Sequence, residues 1–115
     1  MTAPMPMGDG PLIPMPELTV AAVRHAIARI APSRIHAFDE HLAEAATNAQ
    51  QTQSLAPLRA FIHVWAINVA IARYPTRAAR FHALEALIDA GNEDPTDALA
   101  EIQQILQAAK GDAGL

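Results

Sequence analysis

The chain has 115 residues, just over half of them hydrophobic, no cysteine and a formal net charge of −4. That apolar content excludes a wholly disordered chain, and the missing cysteine excludes disulfides, thiolate metal sites and cysteine nucleophiles. The length suits one domain with a real core, and the acidic balance argues against sequence-independent binding of nucleic acid.

The chain opens with MTAPMPMGDGPLIPMP, which holds five of the nine prolines and two of the five glycines. Without a helical or strand period, residues 1–17 read as a flexible tail whose loss should leave stability unchanged. The alternative is that Leu12, Ile13 and Met15 dock on a partner. No basic stretch precedes an apolar one, so no secretory leader is expected and the cytoplasm is the default location.

Residues 18–110 read as one helical domain, with 111–115 as a C-terminal tail. Thr19 is a cap for the first helix, where Val20, Val23, Ile27 and Ile30 form one stripe. Ala31-Pro32-Ser33 breaks it. In the second, Ile35, Phe38, Leu42, Ala45, Ala46 and Ala49 fall on one side, with Asp39, Glu40 and Glu44 outside. Ser54 caps the third, and Pro57 sits in its first turn. Tyr74-Pro75-Thr76 separates the third helix from the fourth, where Phe81, Leu84, Leu87 and Ile88 form the stripe and Gly91 closes it. Asp94 as N-cap and Pro95 at the first helical position start the fifth, with Asp97 in its first turn and Leu99, Ile102, Ile105 and Leu106 as its stripe. No segment alternates with period two. The fold class is therefore all-α, a compact bundle of about five helices.

The third helix differs from the others. Leu58, Phe61, Ile62, Val64, Trp65, Ile67, Val69 and Ile71 cover most of its circumference, leaving a strip of Arg59, His63, Ala66, Ala70 and Arg73. Such a helix belongs at the centre of the bundle. Its apolar run, Ala60 to Ala72, is too short and too interrupted to span a membrane. Asn68 points into the apolar arc and needs a hydrogen-bond partner, either within the chain or on a surface that another chain covers.

Charge divides along the chain. Residues 18–80 carry seven arginines against Asp39, Glu40 and Glu44, whereas residues 81–115 carry seven acids against Lys110 alone. Glu85, Asp89, Glu93, Asp97 and Glu101 thus offer an acidic surface to a basic partner, unless they are ordinary solvated faces. Arg73, Arg77 and Arg80 cluster around Tyr74, where they suit phosphates, carboxylates of a protein partner, or acids of the same domain. His82, Glu85 and Asp89 share a helix face at spacings three and four, a weak metal or pH-responsive arrangement. His36 and Glu40 are an ordinary i,i+4 pair, and His63 reads as a hydrogen-bonded structural residue. Both serines sit at helix starts, and no nucleophile elbow or glycine-rich phosphate loop occurs. No catalytic residue, cofactor or dedicated metal site is assigned.

Phe38-Asp39, then an alanine-rich helix, then Leu55-Ala56-Pro57-Leu58 and Trp65 resemble the core of a small all-helical bacterial family of unknown function, of high-GC Gram-positive type. The alanine-rich composition, with arginine in place of lysine, agrees with such a genome. The resemblance covers the middle third of the chain, departs at Val64, where the family often has arginine, and does not extend past Tyr74. It implies an antitoxin-like role, because members are often encoded beside RelE/ParE-type toxins, and it assigns no functional residue. Two expectations follow. The first is a non-enzymatic protein-binding module whose acidic C-terminal helices face a basic protein, with a second copy of the chain as another candidate partner. The other is a DNA-associated regulator acting through Arg73, Arg77 and Arg80.

Overall fold

Each helix boundary has a local cause. The computed structural model describes residues 10–91 and 93–115. The first helix, α1 (Val20–Ile30), starts at Thr19, whose hydroxyl oxygen accepts the Ala22 N–H at 3.1 Å. That bond satisfies one of the first-turn donors a helix leaves unpaired. Pro32 interrupts the ladder, and Pro32–Arg34 forms a single 3-10 turn. Helix α2 (Ile35–Thr52) ends at Gln53, which takes the left-handed conformation with φ 54°. Helix α3 (Ala56–Ala72) has Pro57 in its first turn, and just ahead of it Ser54 Oγ accepts the Ala56 N–H at 3.1 Å. Pro75 opens α4 (Pro75–Ala90), which closes on Gly91 at φ 65°, a conformation glycine adopts without steric cost. Helix α5 (Thr96–Asp112) begins one residue later than the Asp-Pro pair suggests. Asp94 still caps it, accepting the Thr96 N–H at 3.0 Å and the Thr96 hydroxyl at 2.6 Å. Among the described residues there is no strand, and no helix is long and apolar enough to cross a membrane.

Helix α3 touches α1, α2, α4 and α5, which makes it the central wall of the bundle. It divides the interior into two clusters. On one side Phe61, Trp65 and Val69 pack with Val23, Ala26 and Ile27 of α1 and Phe38 of α2. The Phe38 ring meets Phe61 and Trp65 edge-on, with centroids 4.9 and 5.1 Å away. Trp65 Nε1 donates to His41 Nδ1 at 2.9 Å, so the buried indole N–H is satisfied. On the other side Ala70 and Ile71 pack with Ala109, and Ile67, Ala78, Phe81, Ile105 and Leu106 surround them.

The strip expected to be the least apolar side of α3 is buried in its C-terminal half: Ala66, Ala70 and Arg73 are covered, while Val64 is 46% exposed. Small side chains let neighbouring backbones approach closely, so alanines sit where packing is tightest. Asn68 lies on the more open side. Its Nδ2 donates to Val64 O at 2.9 Å, and its Oδ1 faces Arg34 Nη1 at 3.5 Å, so its partners are internal. It borders a narrow cleft between α1 and α4, together with Ile27, Arg34 and Phe81. His63 is exposed rather than structural. Two stripe residues are corrected as well, since Leu87 is 56% and Leu99 46% exposed. The α4–α5 hairpin buries only part of its apolar surface.

The N-terminal segment divides. Residues 1–9 of the proposed flexible tail lie outside the described residues. Residues 12–15 are strapped onto the bundle: Leu12 N–H donates to Arg73 O at 2.7 Å, Ile13 is buried, and Met15 packs against both clusters. Non-periodic sequence hides this contact, because extended chain held by a neighbouring helix needs no period of its own. At the other end, α5 continues through Gly111 and Asp112, and Ala113 is buried, so the domain extends past the boundary drawn at Lys110.

Candidate functional site

Arg73 closes α3 at the Tyr74-Pro75 corner, Arg77 and Arg80 share a face of α4 at spacing three, and all three reach acids of the returning helix α5. Arg73 is buried. Its Nη1 donates to Ile13 O at 3.3 Å, and its Nη2 lies 3.4 Å from Asp112 Oδ2. Its Nε is buried without a hydrogen-bond partner. Arg77 Nη1 donates to Asp112 Oδ2 at 2.8 Å and to Ala70 O at 3.1 Å, which satisfies a carbonyl in the last turn of α3. The Tyr74 ring carries both guanidinium groups, at 4.9 Å for Arg73 and 4.5 Å for Arg77. Arg80 makes a fork with Glu101, through Nε to Oε2 and through Nη2 to Oε1 at 2.7 Å.

These pairs set the local proton affinities. The Arg77 hydrogen bond, aided by the charges of Arg77 and Arg73, holds the Asp112 carboxyl below the usual carboxylate range. The Arg80 fork does the same for Glu101, and Glu101 in turn raises the Arg80 guanidinium. Asp94 is held low first by the Thr96 hydroxyl and then by the Thr96 N–H. Of the acids expected to form an unneutralised surface, Glu101 is therefore the exception, because Arg80 reaches it across the hairpin. Asp112, at the C-terminal end of α5 where a negative charge opposes the helix dipole, is held by two arginines.

The remaining acids stand apart from the arginines. Asp89, Glu93 and Asp97 have no cation partner among the described residues. Among the described residues Glu85 pairs only with His82, at 3.2 Å. Asp89 does not join that pair, and among the described residues no group of three His, Asp or Glu is gathered closely enough for a metal ion.

A furrow runs along the seam between α4 and α5. Its corner end is an open hollow of about 850 Å³ lined by Tyr74, Arg77, Arg80, Glu101 and Gln104. Its far end is a groove of about 280 Å³ with Leu84, Leu87, Ile88 and Ala98 beside Glu93, Asp94 and Asp97. Arg80, Asp97 and Glu101 line both. The structure thus gathers Arg77, Arg80, Glu93, Asp97 and Glu101 along one furrow. It buries Arg73 beneath the corner, and it leaves Glu85 and Asp89 out of the lining.

Three contacts escaped sequence reasoning. Asp112 was one acid among seven, with nothing local to tie it to arginines 35 residues away. His41 had no motif, although its i,i+3 offset from Phe38 places it near the aromatic cluster. The Arg24–Asp39 fork between α1 and α2, at 2.8 and 2.9 Å, depends on an interhelix geometry that no spacing shows.

A family of unknown function, DUF6247, matches residues 13–110, and the chain belongs to it. The match runs well past Tyr74, where the motif resemblance stopped, and it takes in the docked Ile13 and the whole hairpin. No curated protein and no solved structure matches the chain.

Proposed function

We propose that this member of the DUF6247 family is a non-enzymatic protein-binding module whose α4–α5 hairpin faces a basic protein. The observation that carries the reading is the division of charge. The arginines of the corner are held by Asp112 and Glu101, while Asp89, Glu93 and Asp97 have no cation partner among the described residues, and Glu93 and Asp97 share a groove with exposed Leu87. Unpaired carboxylates around an apolar surface favour a partner of opposite charge and disfavour phosphate backbones. The pairing of Arg73, Arg77 and Arg80 within the domain counts against the DNA-regulator alternative, which needs those cations free.

The motif resemblance makes an antitoxin-like partner of a small RelE/ParE-type toxin the specific form of this role, in a bacterial cytoplasm. The test is co-expression with the product of the adjacent open reading frame. The two proteins should co-purify, and replacing Asp89, Glu93 and Asp97 by their amides should weaken the complex while the fold stays intact. Glu101 is left unchanged, because its removal would release Arg80. A complex indifferent to the three substitutions, or no complex at all, would remove the basis for this reading.

A further inference from the structure

Two helices packed side by side leave two furrows, one on each side of their contact line. In the α4–α5 hairpin α3 fills one of them, against Ala78 and Phe81 of α4 and Leu106 and Ala109 of α5. At 100° per residue the side chains that line the other furrow, among them Arg80 and Leu87 on α4 and Asp97 and Glu101 on α5, point to the opposite flank. That second furrow is open. Its floor is apolar at Leu84, Leu87 and Ile88, and its rim carries Glu93 and Asp97 without cation partners among the described residues.

We infer that this open seam binds an amphipathic α-helix whose apolar side chains are flanked by lysine or arginine. The inference rests on the protein-binding reading and names the class of partner. Backbone chemistry selects a helix. An extended segment needs groups to receive its N–H and C=O, as the Arg73 carbonyl and guanidinium do for Leu12 and Ile13, but the seam has no sheet edge among the described residues and its arginines are engaged by Asp112 and Glu101. A helix satisfies those groups internally and needs only a furrow. From Tyr74 to Ile88 the seam follows α4 for about 20 Å at 1.5 Å per residue, room for roughly four turns of a third helix. Charge selects the flanks. Glu93 and Asp97 attract a cation at the hairpin end, and Arg80, already forked to Glu101, offers nothing to an acidic one. The incoming helix would occupy the place opposite α3 and complete the burial of Leu87.

The probe is a synthetic peptide of about 15 residues, four helical turns, with leucine on one face and lysine on the flanks. A control of the same length carries glutamate in place of lysine. Each is titrated into the full 15N-labelled chain and followed by amide shifts. The Leu/Lys peptide should move amides of 84–88 and 97–101 saturably, and the Leu/Glu peptide should not. Leu87→Gln removes an exposed side chain, so the melting temperature should hold, and affinity should fall about fivefold or more. Equal binding of the two peptides overturns the charge assignment. Shifts outside the seam, or none, overturn the helix-in-seam geometry and leave the co-purification result untouched. Conversely, seam shifts sensitive to Leu87→Gln uphold the inference even where the adjacent gene product proves not to be the partner.

Discussion

Asp112 is the point where the end of α5 meets the α3–α4 corner, and its replacement by asparagine probes that junction. The carboxylate accepts from Arg77 at 2.8 Å and lies 3.4 Å from Arg73. A hydrogen bond to a charged group contributes about 1.5–3 kcal/mol. The Asp112 side chain is 30% exposed, which places the Arg77 bond toward the lower end, and the asparagine oxygen still accepts a weaker bond. Asp112→Asn should therefore cost about 1–2 kcal/mol at neutral pH. Asp112→Ala should cost about 2–3 kcal/mol, because Arg77 and buried Arg73 then lose the side-chain acceptor altogether. The pH dependence follows from the depressed carboxyl. Its contribution is complete above the unfolded pKa, about 4, and is lost as pH falls through the lower folded value. Asp39, Asp94 and Glu101 are also held low, but they are present in both proteins and cancel in the difference. Urea denaturation of the parent and Asp112→Asn should thus show a gap at neutral pH that closes below about pH 4. A gap that stays constant with pH, or one under about 0.5 kcal/mol at neutral pH, would mean that the arginines do not rely on Asp112.

Trp65→Ala should lower stability by about 3–5 kcal/mol, whereas Trp65→Phe, which keeps a ring but leaves His41 Nδ1 without its donor, should cost clearly less; chemical denaturation ranks the two. Ile13→Ala should cost about 2 kcal/mol, since Ile13 is buried, and a melting temperature equal to the parent's would show that the N-terminal strap does not hold in solution. Gln53→Gly should stabilise by up to about 1 kcal/mol, because an L-residue at φ 54° carries a steric cost that glycine lacks; a loss of stability in denaturant would contradict the left-handed assignment.

The helices were legible because their signals are local. Thr19, Pro57, Pro75, Gly91 and Asp94 mark ends through their own backbone or side-chain chemistry, and the α3 pattern identified the central element. What escaped was long-range. The fate of the arginines depends on Glu101 and Asp112, 21 and 35 residues away, and only the return of α5 brings them together. The burial of Ala66 and Ala70 runs against a reading by side-chain size, because close helix approach favours the smallest side chains. The docking of Ile13 follows from shape and from two backbone carbonyl contacts that leave no trace in composition. The acidic rim around the seam is half visible in the sequence: the acids stand out as a charge block, but Leu87 fits the apolar stripe of α4 and is exposed beside them.

The proposed function has the hairpin work through its carboxylates and not through its arginines, and Arg80 separates the two. Among the described residues, Arg80 is the only cation lining the groove that holds Glu93, Asp97 and Glu101. The measurement is the association rate of the adjacent gene product with the parent and with Arg80→Gln, across a range of ionic strength. Removing Arg80 leaves the groove more negative, so association with a basic protein should become faster and more steeply salt-dependent. Slower association, or loss of binding, would place the contact on the arginines and contradict the claim.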